Sequence, residues 1–186
     1  MIKEIRIHSR GGQGGVTAAE LIATAAYKEG KWAQAFPYFG AERRGAPVKA
    51  FARISNKEIL LHSQIYNPDY VLVFAPSLIR TINVTEGLKE NGIILINTRK
   101  KPEEMTNFRN FRVATVDATG IALKLELLVA GLPVVNTAMV GAFAKVTEEF
   151  KLESVIEAIK ERWSGSAGEK NAKAAEIAYN QVIRGW

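Results

Sequence analysis

Apolar and polar positions at the start of the chain predict a strand, a turn and a helix. Ile5, Arg6 and Ile7 alternate between apolar and polar side chains, as in a half-buried strand. Positions 16–29 follow a glycine-rich stretch and are mostly small and apolar, with a narrow polar stripe, so we expect this helix to be buried on more than one side. Gly30 is suited to end it. The chain therefore begins with a predicted strand–turn–helix unit.

Later apolar runs predict further strands. Positions 71–74 and 93–96 are short, continuous apolar stretches, which is typical of strands buried on both faces of a parallel sheet. Positions 113–116 predict another strand. We expect a helix between the first two runs, closed by Asn91 and Gly92. This alternation of strands and helices favours an α/β fold, doubly wound and Rossmann-like, with a mostly parallel sheet flanked by helices.

The last third of the chain is predicted to be helical. Apolar positions recur with a period of about 3.6 residues in 152–163, and again in 172–182 after a break at 164–168. The irregular stretch 36–47, rich in glycine, proline and aromatic residues, is expected to form a loop. Because no repeat or linker interrupts the pattern, residues 1–186 are expected to form a single domain.

Composition narrows the possible functions. The net charge is +6, but the basic residues are dispersed, which argues against nucleic-acid binding. The absence of cysteine excludes disulfides and thiolate-bound iron–sulfur clusters. His8 and His62 lie on different segments, so we expect no metal site. No apolar run approaches the ~20 residues of a membrane span, and no signal peptide is evident, so we expect a cytoplasmic protein without membrane contact.

The glycine-rich stretch is the main candidate for ligand binding. A strand, a glycine-rich turn and a helix together expose backbone N–H groups at the positive end of a helix dipole, which favours phosphate. It is a poor dinucleotide motif, because Thr17 stands where the third glycine belongs and no acidic residue follows about 20 positions later. It also lacks the Gly-Lys-Ser/Thr ending of a P-loop. The alternative is a tight turn without a ligand.

Five sequence blocks resemble one protein family. Residues 10–14 resemble the Gly-Gly-Gln-Gly loop of the gamma subunit of 2-oxoacid:ferredoxin oxidoreductases. Segment 36–47 is similar to the family's Pro-x-x-Gly-x-Glu-x-Arg-Gly pattern, and 136–141 to its Asn-Thr-x-Met-x-Gly helix start. Residues 53–55 and 170–171 match as well. The resemblance covers nearly the whole chain, and the Ala-Glu-Arg-Arg-Gly-Ala-Pro form is most similar to pyruvate-type gamma subunits.

The resemblance implies a division of labour among subunits. The chain would bind no cofactor alone, since thiamine diphosphate and the iron–sulfur clusters would belong to the alpha, beta and delta partners. The assembled enzyme would convert pyruvate to acetyl-CoA and carbon dioxide and reduce ferredoxin. This subunit would cover the active site and help to hold coenzyme A. The residues expected to contact coenzyme A are Arg10, Gly11, Gly12, Gln13, Gly14, Arg43, Arg44 and Asn136.

Each of these side chains also has a structural alternative. The Gln13 amide is able to bind adenine or a pantetheine amide, or to form a hydrogen bond across the turn. Arg10 is able to pair with phosphate or to cap the loop. For Arg43 and Arg44, an ion pair or a subunit interface competes with phosphate binding. Asn136 is equally suited to be the N-cap of a helix.

Other residues and other functions stay open at this point. A hydrogen-bonded structural role is favoured for His8, and packing against a partner subunit is favoured for Tyr38 and Phe39. The rival functions are a gamma subunit of a 2-oxoisovalerate or 2-oxoglutarate enzyme, a stand-alone nucleotide-binding module, and a structural subunit without a ligand. An exposed subunit interface would also allow the isolated chain to form a homodimer.

Overall fold

The computed structural model describes residues 1–38 and 45–186, which contain nine strands and five α-helices. The predicted α/β class is confirmed, and so is the helical C-terminal region. The strands are β1 (Ile2–Arg10), β2 (Trp32–Pro37), β3 (Pro47–Ser55), β4 (Tyr70–Val73), β5 (Ile93–Asn97), β6 (Arg112–Val116), β7 (Leu128–Val129), β8 (Leu132–Pro133) and β9 (Ile183–Arg184). The helices are α1 (Gly15–Lys28), α2 (Ala118–Lys124), α3 (Asn136–Thr147), α4 (Leu152–Arg162) and α5 (Gly165–Gln181).

Seven of the strands form one mixed sheet in the order β2-β3-β1-β4-β5-β6-β9. The central strands β1, β4, β5 and β6 are parallel, whereas β3 and β9 run antiparallel to their neighbours. The carboxyl ends of the parallel strands therefore meet at one edge, which is where ligands bind in open α/β sheets. Strands β7 and β8 form a separate hairpin.

All five helices pack on one face of the sheet. Ile5, Ile7, Leu72 and Leu95 point from the central strands into a core shared with these helices. Gly141 of α3 permits an unusually close contact between helices, since a Cβ atom there would lie 2.1 Å from the backbone oxygen of Ala175 in α5. Within the described ranges, no helix combines the length and apolar content that would allow it to cross a bilayer.

The second face of the sheet is covered without an α-helix. The predicted helix between β4 and β5 is wrong, because the chain forms only a short 3-10 helix, Pro76–Arg80, followed by turns. Branched residues at positions 81–85 and a glycine at 87 lower the helix propensity there. Gly87 has a φ of 68°, and a Cβ atom would meet the Tyr66 carbonyl oxygen at 2.1 Å. Apolar side chains from these turns still bury Val71, Val73, Ile94 and Ile96.

Positions 36, 37 and 47 of the predicted loop over 36–47 lie in strands instead, and residues 39–44 lie outside the described residues. Strand β2 ends at Pro37, β3 begins at Pro47, and the two pair antiparallel. Strand β3 contains Arg53, whose charged side chain is only 1% exposed. A charged residue at a buried position interrupts the apolar pattern that would otherwise have predicted this strand. The Arg53 guanidinium is held by the Glu4 carboxylate at 2.9 Å and by carbonyl oxygens of the segment that follows β3.

Candidate anion-binding site

The glycine loop, residues 11–14, joins the end of β1 to the start of α1. Gly12 and Gly14 have φ values of 95° and 80°, a left-handed conformation that L side chains rarely adopt. The backbone of Gly11 pairs with the returning chain, as its N–H donates to Ala46 and its carbonyl accepts from Gly45. The loop is thus fixed against the sheet edge while Gly12 faces solvent.

The first turn of α1 is uncapped. Gly14 occupies the N-cap position and has no side chain to accept a hydrogen bond, and the first turn contains no Asp or Glu. Ala18 donates to the Gly14 carbonyl at 2.9 Å, whereas the amides of residues 15–17 have no acceptor in the part of the chain that the structure describes. Free amides at the positive end of a helix dipole attract an anion.

A second helix begins at the same place. Asn136, in the first turn of α3, packs against Gly14 so closely that a Cβ atom on Gly14 would lie 2.5 Å from the Asn136 Nδ2 atom. The alternative that Asn136 is the N-cap is wrong, because Val135 occupies that position. The positive ends of two helix dipoles therefore converge beside the glycine loop.

The Asn136 side chain presents a donor to this junction. It is 3% exposed, and its Oδ1 atom accepts the Thr137 amide at 2.8 Å. Its Nδ2 group has no hydrogen-bond acceptor among residues 1–38 and 45–186. An amide N–H donor in this position is suited to a ligand oxygen. We define the anion site as the glycine loop, the first turn of α1 and Asn136.

Gln13 and Arg10 brace the loop. The Gln13 Oε1 atom accepts the Arg10 amide at 2.8 Å. This is the hydrogen bond across the turn that was the structural alternative to ligand binding by Gln13. The Arg10 guanidinium donates to the Ser77 hydroxyl at 3.0 Å and to the Gly45 carbonyl at 2.9 Å. Arg10 therefore caps the loop through neutral groups, and within residues 1–38 and 45–186 the Gln13 Nε2 group donates no hydrogen bond.

Arg43 and Arg44 lie outside the described residues, as does Phe39. In the sequence, Arg44 directly precedes Gly45, whose amide donates to the Gly11 carbonyl at 3.2 Å. The predicted contacts of both arginines with coenzyme A stay predictions.

The comparisons with known proteins identify the family. The family model for pyruvate ferredoxin/flavodoxin oxidoreductase matches residues 4–181. The chain belongs to this family. The match includes the whole anion site and the β2 edge of the main sheet, and it ends with α5, before the β9 edge.

Relatives and a solved structure show which type of family member it is. The chain is 57% identical to the pyruvate/ketoisovalerate oxidoreductases common subunit gamma of Thermococcus kodakarensis, over 97% of each chain. It is 55% identical to pyruvate synthase subunit PorC of Methanocaldococcus jannaschii, again over 97% of each. The crystal structure of pyruvate oxidoreductase subunit PORC from Thermotoga maritima superposes with a TM-score of 0.85 at 35% identity and covers 100% of this chain and 99% of that one. The chain is therefore a gamma-type member of the family.

In this family member, a polar cluster that the sequence analysis missed supports the carboxyl edge of the sheet. Asn97, at the end of β5, donates to the Phe74 carbonyl at 2.8 Å and to the Thr119 hydroxyl at 2.9 Å, and its Oδ1 atom accepts the Thr119 amide. Asp117 caps α2 by accepting the Gly120 amide. The sequence signal for Asn97 was its position directly after the apolar run 93–96.

A groove of about 350 Å³ adjoins the anion site. Its lining includes Asn136, the apolar side chains of Leu128 and Val129 in the β7–β8 hairpin, and Trp163. Lys170 lies at the rim and pairs with Glu126 at 3.4 Å. The groove thus combines apolar side chains with polar groups near the start of α3, which is the usual composition of a small-molecule site.

His8 lies under the loop but on the other face of the sheet. It is 1% exposed, and burial together with the charges of Arg6 and Lys49 lowers its pKa to about 3. The ring is therefore neutral, and since Nε2 accepts the Arg6 Nε–H at 3.1 Å, Nδ1 carries the proton. This supports the structural role expected for His8. In the described residues, no three His, Cys, Asp or Glu side chains are grouped to hold a metal ion.

Proposed function

We propose that the chain is the gamma subunit of a pyruvate:ferredoxin oxidoreductase and that its anion site holds phosphate groups of coenzyme A. The alpha, beta and delta partners supply thiamine diphosphate and the iron–sulfur clusters, since this chain has no cysteine to bind a cluster. Pyruvate and coenzyme A give acetyl-CoA and carbon dioxide, and the electrons pass through the partners to ferredoxin.

One observation carries the coenzyme A assignment. The starts of α1 and α3 meet at Gly14 and Asn136, and the Asn136 Nδ2 group lies at this junction without an acceptor among residues 1–38 and 45–186. Coenzyme A brings a pyrophosphate and a 3′-phosphate, which are suited to backbone amides and to the positive ends of helices. The donors here are fixed by the fold, so they bind an anion without first rearranging.

The neighbouring groove suits the rest of the same molecule. Pantetheine is a flexible chain with apolar segments and two amides, and the groove offers Leu128, Val129 and Trp163 beside the Asn136 and Asn171 amides. With phosphates at the helix starts, the thiol arm lies along this wall toward the partner subunits. The nucleotide and the reactive end are thus held by different parts of one continuous surface.

A second substrate is favoured by one observation. The Thermococcus kodakarensis relative is named as a subunit common to pyruvate and ketoisovalerate oxidoreductases. Coenzyme A is the acceptor in both reactions, so a subunit that binds only coenzyme A is able to serve both enzymes. We include the 2-oxoisovalerate enzyme as the second assembly for this chain. The names of the relatives as subunits also favour this interpretation over a stand-alone nucleotide-binding module.

Asn136→Asp in the assembled enzyme tests the anion site. The change keeps the acceptor for the Thr137 amide but replaces the free donor with a negative charge, so the KM for coenzyme A should rise about 10- to 100-fold. The KM for pyruvate should stay the same. Asn136→Ala removes the donor without adding charge, so it should raise the KM for coenzyme A by a smaller factor.

Asn180→Asp is the matched control, because it adds the same charge near the far end of α5. It should leave both KM values unchanged. Size-exclusion chromatography of each complex shows whether assembly is intact. An unchanged KM for coenzyme A in an intact Asn136→Asp complex would refute the assignment. Removal of the partners should abolish activity, so the pure chain should not reduce viologen with pyruvate.

A further inference from the structure

Strand β2 forms an open edge of the main sheet. It pairs with β3 on one side, and on its other side no strand lies within the part of the chain that the structure describes. An unprotected edge strand presents a row of backbone donors and acceptors to solvent, where another strand is able to add. Natural edges are usually blocked by charged side chains, yet β2 has the sequence Trp-Ala-Gln-Ala-Phe-Pro without a charge.

The register shows which groups point outward. Tyr38 donates its amide to the Lys49 carbonyl at 3.0 Å, continuing the β2–β3 ladder. Because hydrogen-bonded pairs alternate along antiparallel strands, the backbone groups of Trp32, Gln34 and Phe36 face β3, and those of Ala33 and Ala35 face outward. The N–H and C=O groups of both alanines are therefore available at the edge.

The two lysines that immediately precede this edge are held in ion pairs. Lys28 at the end of α1 pairs with Glu157 and Glu161 of α4, and its hydrogen bond with Glu161 raises the Lys28 pKa. Lys31, just before β2, pairs with the Glu149 carboxylate at 3.3 Å. The two lysines that immediately precede β2, Lys28 and Lys31, are therefore neutralised within each copy, although the chain as a whole is positive.

We propose that two copies of the chain pair through β2 as antiparallel strands about a two-fold axis at Gln34. In this register Ala33 of one copy exchanges both backbone hydrogen bonds with Ala35 of the other, and the symmetric pair repeats them. The same register places Trp32 opposite Phe36 of the second copy, on the same face of the joined sheet. Aromatic cross-strand pairs stabilise such a ladder.

The exposed surface next to the strand supports a second copy as the occupant. Trp32 is 51% exposed, and it lines an apolar groove with Tyr27, which is also exposed. Pro37 has no N–H group, and the Lys31 amide is already bonded to Ala26, so the ladder ends on both sides after Ala33 and Ala35. The edge therefore fits a short symmetric partner rather than a long strand.

Ala35→Pro is the direct test in the full-length chain. It removes an outward N–H group and leaves the bonds to β3 intact, so the fold should keep its circular dichroism spectrum. Sedimentation equilibrium should show a dimer for the natural chain at micromolar concentration and a dissociation constant raised about tenfold or more in the variant. Ala35→Ser keeps the N–H group and should dimerise normally. A natural chain that stays monomeric, or an Ala35→Pro variant that dimerises equally well, would overturn the proposal.

A charge exchange at the axis provides a second test that does not depend on proline. Gln34 faces its own copy across the two-fold axis, with a Cβ separation of about 5 Å. Gln34→Lys and Gln34→Glu should each weaken the dimer, and an equimolar mixture of the two should restore it as a heterodimer. Loss of the Gln34 bond to the Ile59 carbonyl affects both variants alone and in mixture, so restoration upon mixing reports the pairing itself. Failure to restore association would contradict the proposed axis.

Discussion

The two ends of α1 differ in what they leave open. At the first end, the helix starts without a side-chain cap or an acidic residue, and the Asn136 side chain packs against Gly14. At the other end, Lys28 is paired with acidic residues of α4, and the exposed groups are aromatic. One helix thus carries the site that we propose for an anion and, about 20 Å away, the apolar surface that we propose for a second copy of the chain. The comparison shows that the ion pairs at one end of α1 help to predict its binding partner as much as the uncapped amides at the other end do.

Gly14→Ala should have the largest effect, because it damages the first end directly. The φ of 80° and the 2.5 Å contact with the Asn136 Nδ2 atom both oppose a Cβ atom, so unfolding should become easier by about 2–4 kcal/mol. Gly12→Ala is the matched control, since its φ of 95° is strained but no atom lies within 4 Å. It should cost about 1–2 kcal/mol. Urea unfolding measures both, and equal losses would show that the Asn136 contact is unimportant.

Acid should weaken the fold through His8. The pKa of His8 is about 3 in the folded chain and about 6.5 when unfolded, so below pH 6.5 the unfolded state binds the extra proton. Stability should therefore fall with decreasing pH between 6.5 and 3, by up to about 1.4 kcal/mol per pH unit from this residue.

His8→Gln should flatten that pH dependence, because glutamine accepts a hydrogen bond from Arg6 without titrating. His62→Gln, at an exposed position, should leave it unchanged. Urea unfolding at pH 7, 6 and 5 distinguishes the two variants. A slope that survives His8→Gln would assign the acid sensitivity to other groups.

Arg44→Ala should weaken coenzyme A binding by about 1–3 kcal/mol if the side chain forms a charge-assisted bond to a phosphate. Its position before Gly45, which is bonded to the glycine loop, motivates the test. Dephospho-CoA identifies the phosphate involved. A smaller loss with dephospho-CoA than with CoA would assign Arg44 to the 3′-phosphate, and equal losses would assign it elsewhere.

Lys28→Ala should have the smallest effect. The ammonium group is at the surface, where ion pairs contribute little. Neither the melting temperature nor the KM for coenzyme A should change measurably. The unpaired Glu157 and Glu161 would, however, place negative charge beside the β2 edge in both copies, so the proposed dimer should weaken at low salt and recover at high salt. If the Lys28→Ala variant dimerises as well as the natural chain at low salt, the ion pairs of Lys28 do not influence pairing through the β2 edge.

The sequence predicted the central sheet and the glycine loop because both have local signals. Continuous apolar runs indicate buried parallel strands, and clustered glycines before a helix indicate an anion-binding turn. Strand β3 was missed because Arg53 interrupts its apolar pattern, and the Glu4 carboxylate that compensates the charge lies on another strand. The contact between Gly14 and Asn136 has no local signal at all, since it depends on how α3 packs.

That packing has a consequence for the assembly of the whole enzyme. Gly141 brings the α3 backbone against Ala175 of α5, so α3 has little freedom to slide or tilt. In the proposed assembly, a subunit that docked on α5 would therefore move α3 as a rigid body, and the Asn136 amide in its first turn would move with it. Under the proposed function, such a movement would change the position of a donor to coenzyme A and so connect subunit motion to the affinity for the acyl acceptor.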